Sequence, residues 1–336
     1  MQQLRTKTGV KKSTIWIKLG AILIPVMLLI AVLEGGTRLL VWAFYGAGNF
    51  GMHWLFEYEP YLLTKTAPIP QYVSPKGERY RVVLVGGSTA AQMPVNVLED
   101  ALKTITHRNV QVINLGQGGY IINQERIILL LYGIRLDPDL IISLDGMNDI
   151  VTASKVRKTG ITYSNNFIEF AVNHPLLNGF VSVFRQSQFV NSINKVRERN
   201  LEKSVQKDTK LKNEIIRHTE EGLRSIAIIA NGMDIPYVIV IQPYLHLRRN
   251  IPEVEKNLAS NYTYRKDFMS EMIENLNGHL EKSAFPGKTY YIDATKAFDG
   301  STSQCFVDEV HLTNNGNEIL ANYLVNAAQK KGFAIQ

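Results

Sequence analysis

Five short apolar segments, each rich in β-branched residues, recur along the chain between residues 81 and 293. Continuous apolar runs of this length are typical of parallel strands that are buried on both faces. Because longer segments with helical spacing lie between them, the pattern predicts a parallel sheet with helices on both faces. The five predicted strands are RVVLV (81–85), VQVINL (110–115), DLIISL (139–144), PYVIVIQ (236–242) and TYYID (289–293).

The segments between and after these strands predict the helical layers. Apolar residues at helical spacing predict helices over residues 123–136, 211–233 and 315–331. Another helix is expected after the first strand, where Asn96 and Glu99 have the spacing of a capping box. The chain therefore alternates strand and helix as a doubly wound fold requires.

One region, about 151–208, interrupts this alternation with basic and aromatic residues and no clear strand. It is interpreted as a helical insertion after the third strand, near the edge where open α/β sheets bind ligands. Its pattern fits a surface helical pair, and it equally fits a substrate-selecting or membrane-facing cap.

The amino-terminal residues have the features of a membrane anchor. Residues 1–13 are a basic tail, and TIWIKLGAILIPVMLLIAVL (14–33) is as long as the about 20 apolar residues that cross a bilayer. Basic residues before the span favour a cytoplasmic amino terminus. A cleaved signal peptide is the alternative, but the apolar run exceeds a signal-peptide core and no A-x-A-like site follows it. We expect a single-pass protein of the inner or cytoplasmic membrane, with its catalytic domain extracytoplasmic, in the periplasm or at the cell surface.

Length and composition limit how the chain is organised after the anchor. Residues 34–78 are expected to form a juxtamembrane connector, and residues 79–336 a single large domain, since 45% of the 336 residues are apolar. Cys305 is the single cysteine, so the domain folds without an internal disulfide. The net charge of +7 comes from scattered basic residues, and nucleic acid is not an expected partner.

A serine follows the first predicted strand in the sequence VVLVGGSTAAQ. A serine nucleophile needs a base to take its proton and an orienting group for that base. Both are available in FVDEVHLTNNG, where Asp308 precedes His311 by three residues. At that spacing a carboxylate on a turn reaches Nδ1 of the imidazole and leaves Nε2 for Ser88.

Two further turns offer donors for a developing oxyanion. The sequence NLGQGGY (114–120) ends the second strand in glycines, whose amides can approach a ligand closely. The sequence LDGMNDI (144–150) follows the third strand and carries Asn148, whose amide can donate a hydrogen bond. The phosphate-binding and dinucleotide fingerprints are not matched. The other histidines lack metal-ligand spacing, so neither a metal nor a cofactor is expected.

The order GGST, NLGQGGY, GMND and DEVH resembles the conserved blocks of the SGNH, or GDSL-type, hydrolase superfamily, in particular its membrane-anchored bacterial members. The resemblance covers residues 79–331. It departs from the family at Gly87, which stands where the usual Gly-Asp-Ser motif has aspartate. That aspartate is not a member of the triad, so the departure weakens a strict GDSL label and leaves the chemistry in place.

The resemblance implies a site. Ser88 would be the nucleophile, Asp308 and His311 the other triad members, and the Ser88 and Gly119 amides with Asn148 the oxyanion hole. Gly118 is the alternative to Gly119 in this mapping. The fold implied is α/β, a three-layer, doubly wound (flavodoxin-like) parallel sheet of about five strands, preceded by one transmembrane helix.

The function implied is that of a membrane-anchored extracytoplasmic serine esterase or acylhydrolase acting on ester bonds. Its substrate would be an acylated glycan or lipid, and the enzyme would be an O-acetyl esterase or O-acyltransferase on a cell-envelope glycan. One alternative is a lipid hydrolase of the lysophospholipase or thioesterase type. The other is a non-catalytic envelope protein that uses the same fold for binding or assembly.

Overall fold

A computed structural model describes residues 10–45, 57–70, 73–162 and 205–333 of the chain. They fall into two compact units, one containing the amino-terminal helix and the other containing the described residues from Glu57 onward. The predicted insertion lies largely outside the described residues, since only 151–162 and 205–208 of it are described.

Helix α1 extends over Val10–Tyr45 and contains Pro25. Its segment Leu19–Gly36 has a mean hydropathy of 2.2 and is long and apolar enough to cross a membrane, with none of that segment buried inside the protein. A signal sequence near an amino terminus has the same length and composition. The helix continues beyond the predicted span, to Tyr45, because the mixed sequence after Leu33 contains no proline to end it.

A small hairpin lies inside the predicted connector. Strands β1 (Glu57–Glu59) and β2 (Leu63–Lys65) pair antiparallel. Glu59 stabilises the turn between them, because its carboxylate accepts the backbone N–H groups of Tyr61 and Leu62 at 2.8 and 2.7 Å. This region is therefore more ordered than the extended connector that the sequence predicts.

The central sheet confirms the predicted α/β fold. Its five parallel strands lie in the order β4-β3-β5-β6-β7, which is the flavodoxin-like order. Strand β3 has β4 on one side and β5 on the other. The connections on its two sides therefore run in opposite directions along the sheet, and this opens the crevice typical of doubly wound sheets. The strands are β3 (Tyr80–Gly86), β4 (Val110–Asn114), β5 (Leu140–Asp145), β6 (Tyr237–Ile241) and β7 (Thr289–Asp293).

Helices cover both faces of this sheet. In β3, Val83 and Val85 face one core while Val82 and Leu84 face the other, as the alternation of side chains along a strand requires. Helices α4, α5, α6 and α8 pack on the first face and α2, α3, α7 and α9 on the second. These helices are α2 (Ser88–Ala91), α3 (Val95–Thr106), α4 (Ile122–Ile128), α5 (Asn148–Val156), α6 (Thr209–Gly232), α7 (Glu253–Asn261), α8 (Thr263–Leu280) and α9 (Asn314–Lys330).

Two local predictions are wrong. The continuous helix over 123–136 is α4 followed by a π-helical turn, Leu129–Gly133, and a 3₁₀ turn, Ile134–Leu136. The capping box is absent, because α3 begins after Pro94 and the carboxylate of Glu99 instead accepts the Val112 N–H at 2.9 Å. That bond links α3 to β4, so a tertiary contact replaces the expected local one.

Candidate active site

The turn after β3 places Ser88 at the start of α2. Gly86 has a φ of +146°, and a Cβ there would lie 2.5 Å from the carbonyl oxygen of Leu144 in the neighbouring strand. A side chain at position 86 is therefore excluded by both conformation and space. This close approach of two strands leaves the half-buried Ser88 hydroxyl at the carboxyl edge of the sheet.

Asp308 and His311 lie on a short loop that leads into α9. The loop is closed by an antiparallel bridge between Phe306 and Leu312. Two N–H groups of the turn, those of Val310 and His311, donate to Oδ1 of Asp308 at 2.8 Å. The carboxylate is thus fixed by its own turn before it contacts the imidazole.

The three side chains predicted for a triad form a continuous hydrogen-bonded series. Oδ2 of Asp308 lies 2.5 Å from Nδ1 of His311, and Nε2 of His311 lies 2.8 Å from Oγ of Ser88. The packing of α9 against α3 on one face of the sheet brings this carboxyl-terminal loop back to the turn after β3. The structure therefore joins residues that the sequence places at opposite ends of the domain.

The electrostatics favour one tautomer of His311. Burial acts to raise the pKa of the Asp308 carboxyl, but hydrogen bonds from the His311 side chain and from the backbone outweigh it, and the net pKa is lowered. An ionised Asp308 accepts the proton on Nδ1, which leaves the lone pair of Nε2 facing Ser88. The side chains of His311 and Asp308 are only 12% and 20% exposed, so water weakens this pair little.

The turn after β4, residues 115–120 and here called the β4 loop, contains the two candidate glycines. The Tyr120 N–H donates to the Gln117 carbonyl at 3.3 Å, and Gly119 between them has a φ of +76°, as at the third position of a type II turn. The Gly118 N–H donates to Oγ1 of Thr66 at 2.7 Å. Gly119 is exposed, and its N–H makes no hydrogen bond to the part of the chain that the structure describes.

Asn148 is the first residue of α5 and lies beside the nucleophile turn. Its Nδ2 donates to the Tyr120 carbonyl at 2.8 Å. A Cβ at position 87 would lie 2.2 Å from this same Nδ2, so Gly87 provides the space that Asn148 occupies. Because β4, β3 and β5 are neighbours in that order, the turns that carry Gly119, Ser88 and Asn148 lie side by side.

Three buried acidic residues beneath this site are not singled out by the sequence. They are Glu125 on α4, Asp145 at the end of β5 and Asp149 on α5, and burial raises the pKa of each. For Asp149 the pKa rises to about 7, although the Ile122 N–H donates to its Oδ2 at 3.0 Å. The positions of Asp145 and Asp149 at and just after the end of β5 are visible in the sequence, but the burial of all three residues depends on distant helices. No group of His, Cys, Asp and Glu residues within 10–45, 57–70, 73–162 and 205–333 is arranged to hold a metal ion.

Comparisons with known proteins give matches at the level of solved structures. No protein-family model matches the chain, and no curated protein matches it. It is similar to an acetyl xylan esterase at 14% identity, with 74% of this chain and 98% of that chain covered and a TM-score of 0.41. An acylhydrolase from Bacteroides fragilis matches at 17% identity over 75% of this chain and 88% of its own, with a TM-score of 0.42. An acetylxylan esterase from Geobacillus stearothermophilus matches at 14% identity over 76% and 95%, with a TM-score of 0.41.

Proposed function

We propose that the chain is a serine esterase or acylhydrolase that works through an acyl-serine intermediate. The observation that carries this proposal is the hydrogen-bonded series from Asp308 through His311 to Ser88, with an ionised carboxylate at one end and a hydroxyl at the other. A protein that only binds a glycan or a partner has no need for a carboxylate, an imidazole and a hydroxyl linked in this order.

In the first half of the reaction, Oγ of Ser88 attacks the carbonyl carbon of the ester while Nε2 of His311 takes the hydroxyl proton. Negative charge moves to the carbonyl oxygen. The N–H groups of Ser88 and Gly119 and the second hydrogen on Nδ2 of Asn148 receive it, since Tyr120 occupies only the first hydrogen.

The intermediate then collapses, the bond from carbon to the leaving oxygen breaks, and His311 returns its proton to the departing alcohol. The acyl group remains on Ser88. Water attacks this ester with His311 again acting as base, and the acid is released. If the hydroxyl of a sugar takes the place of water, the same steps transfer the acyl group instead.

The proposed substrate is an acyl ester of the cell envelope, with O-acetyl groups on a glycan preferred. Support comes from the apolar segment Leu19–Gly36 and the basic residues before it, which favour a single-pass protein whose domain lies outside the cytoplasm. A tethered esterase acts on what lies within reach of the membrane. Acylated glycans and lipids are the ester classes found there.

A fluorophosphonate probe on the full chain in detergent tests the nucleophile. We expect the wild type and the control Ser283→Ala to be labelled, because the Ser283 hydroxyl donates to the carbonyl of His279 and has no bond to any member of the proposed triad within the described residues. Ser88→Ala should take no label while its melting temperature stays that of the wild type. A folded wild-type chain that the probe leaves unlabelled would contradict the proposal.

A panel of p-nitrophenyl esters tests the acyl class. An acetyl esterase should release p-nitrophenol from the acetate much faster than from the palmitate, and Ser88→Ala should remove both activities. Preference for the palmitate would instead support the lipid-hydrolase alternative.

Alkaline phosphatase fused to the carboxyl terminus tests the location of the domain, because this enzyme is active only outside the cytoplasm. An inactive but intact fusion would contradict the proposed topology.

A further inference from the structure

The second strand of the hairpin, with the residues on either side of it, is bound to the β4 loop and to α4. This strap, residues 62–67, gives two backbone carbonyls to side chains of the domain. The hydroxyl of Tyr120 donates to the Thr64 carbonyl at 2.7 Å, and Nε2 of Gln124 donates to the Leu62 carbonyl at 2.6 Å. Tyr120 and Gln124 are both buried, so these bonds are held away from water.

Gln117 binds the next residues of the strap. Its Oε1 accepts the backbone N–H groups of Thr66 and Ala67 at 2.7 and 2.9 Å, and its Nε2 donates to the Ala67 carbonyl at 3.3 Å. Only 1% of Gln117 is exposed. Its own backbone N–H donates to the Gly86 carbonyl at 3.0 Å, so the residue that binds the strap is also bound to the nucleophile turn.

The Thr66 hydroxyl has a fixed direction in this arrangement. It lies 3.3 Å from Oε1 of Gln117, which can only accept, so its hydrogen points there. Its lone pair is then free to accept the N–H of Gly118 at 2.7 Å. The shorter of the two bonds is the one to the backbone of the β4 loop.

The β4 loop needs such a contact because its turn has glycine at both central positions. Gly118 and Gly119 have no Cβ, so a type I and a type II turn are both sterically open to them. The two turns differ by rotation of the central peptide, which carries the Gly119 N–H. In this structure the peptide before it is held by Thr66 and the carbonyl of Tyr120 after it is held by Asn148.

We propose that Thr66 is a positioning residue of the active site: its hydroxyl holds the Gly118 N–H and so fixes the turn from which the Gly119 N–H reaches the oxyanion. The inference rests on the proposed function. It gives Gly118 and Gly119 different roles, since the Gly118 N–H is occupied by Thr66, whereas the Gly119 N–H makes no hydrogen bond to the described part of the chain. It also makes the strap, a part of the expected connector, a component of the catalytic centre.

The test compares Thr66→Val, Thr66→Ala and Thr66→Ser in the full detergent-solubilised chain. Valine keeps the shape of threonine without the acceptor, whereas serine keeps the acceptor. Thr289→Val is the matched control, because the half-buried Thr289 hydroxyl donates to the Pro286 carbonyl at the amino end of β7, the opposite end of the sheet from the site. The measurements are kcat and KM for p-nitrophenyl acetate and the melting temperature.

We expect kcat of Thr66→Val to fall about tenfold or more, since a whole oxyanion donor is worth about 10²–10³ and this change displaces one without removing it. KM and the melting temperature should stay close to those of Thr289→Val, and Thr66→Ser should keep kcat within about threefold of wild type, because its hydroxyl can make the same hydrogen bond. If Thr66→Val does not fold, Thr66→Ala is expected to show the same loss.

Equal kcat values for Thr66→Val, Thr66→Ser and Thr289→Val would overturn the role of Thr66 while leaving the proposed function intact. A fall in the melting temperature of Thr66→Val with kcat unchanged would overturn it too, since Thr66 would then be only structural. A wild-type chain without Ser88-dependent turnover would overturn the proposed function, and this inference with it.

Discussion

Nε2 of His311 lies 2.8 Å from Oγ of Ser88, although 223 positions separate the two residues in the chain. The contact depends on β3, which leads into the turn with Ser88, and on α9, which follows the edge strand β7 and packs against α3. Asp308 adds to it a carboxylate fixed by two backbone N–H groups. Backbone contacts thus hold the Asp308 carboxylate in place in addition to its bond with the imidazole, and this kind of support is what keeps a constellation of side chains in a defined geometry.

Asp308→Asn should lower kcat by about 10²–10⁴ with little change in KM. Asparagine can keep the two backbone bonds through Oδ1, but its Nδ2 then faces Nδ1 of His311. That donor stabilises the tautomer with the hydrogen on Nε2, which cannot accept the proton of Ser88. Steady-state kinetics on p-nitrophenyl acetate measure the effect.

The control is Asp299→Asn, which alters a carboxylate that likewise accepts a backbone N–H, that of Arg249 at 3.1 Å. Its kcat should stay near wild type. A kcat for Asp308→Asn within tenfold of this control would mean that the carboxylate does not set the tautomer of His311.

Gly87→Ala should lower kcat by about 10²-fold with a small change in melting temperature. The added Cβ would lie 2.2 Å from Nδ2 of Asn148. Because that atom is the end of a side chain, the fold can accommodate the methyl group by moving the amide away from the site. Gly87→Asp, which creates the Gly-Asp-Ser sequence usual in the SGNH superfamily, should be at least as damaging in this chain.

A double-mutant cycle identifies the mechanism of this loss. Asn148→Ala should cost about as much as Gly87→Ala, and the double variant little more than either alone, since both remove the same donor. Gly278→Ala, where a Cβ meets nothing within 4 Å, is the control for adding a methyl group. Fully additive losses would show that Gly87 acts on something other than Asn148.

The sheet and the site turns could be predicted because their signals are local. A strand buried on both faces is a continuous apolar run, as in Tyr237–Ile241, and the turn that follows a strand carries its chemistry within a few residues. Ser88, Asn148 and His311 were found in this way. The expected role of Gly119 comes from the resemblance to the SGNH superfamily alone, because glycine has no side chain to mark it.

The contacts that hold the site in place have no such signal. Thr66 and Gly118 are separated by 52 positions, and strands as short as β1 and β2 have too few residues to show an alternation. Helix α7 carries mostly polar residues, so its apolar spacing is weak. These features follow from tertiary packing and become visible only when the sheet has brought distant segments together.

Glu255→Gln should destabilise the protein by about 3–5 kcal/mol and lower kcat. Glu255 and Arg248 form an ion pair with side chains 0% and 1% exposed, so the change leaves a buried cation without its partner. Oε1 of Glu255 also accepts the N–H groups of Cys305 and Phe306, at the base of the loop that carries His311. Loosening this base should misplace the imidazole.

Thermal unfolding and kinetics on the same preparation measure both effects. Glu221→Gln is the control, because Glu221 pairs with Arg217 on the surface and such exposed pairs contribute about 0–1 kcal/mol. If Glu255→Gln melts with the control, the buried pair is not needed for stability. If Glu255→Gln melts at a lower temperature but retains full kcat below its transition, the buried pair stabilises the fold without positioning His311.

Asp149→Asn should flatten the dependence of stability on pH between about 4 and 7. Burial raises the pKa of Asp149 from 3.8 to about 7, so within this range the folded protein binds a proton that the unfolded chain releases. The stability contributed by this group is therefore complete below pH 3.8 and is lost as pH rises through about 7. Asparagine is neutral at every pH, and its Oδ1 can still accept the Ile122 N–H.

Melting temperatures measured from pH 4.5 to 8 test this sign. Wild type should lose stability as pH rises through this group's range faster than Asp149→Asn does, and part of the slope should remain, since burial also raises the pKa values of Glu125 and Asp145. Asp100→Asn is the control, because its exposed carboxylate pairs with Lys103 on the surface of α3. Parallel curves for wild type and Asp149→Asn would mean that Asp149 has the same affinity for protons in the folded and unfolded chain, and a steeper curve for the variant would reverse the sign argued here.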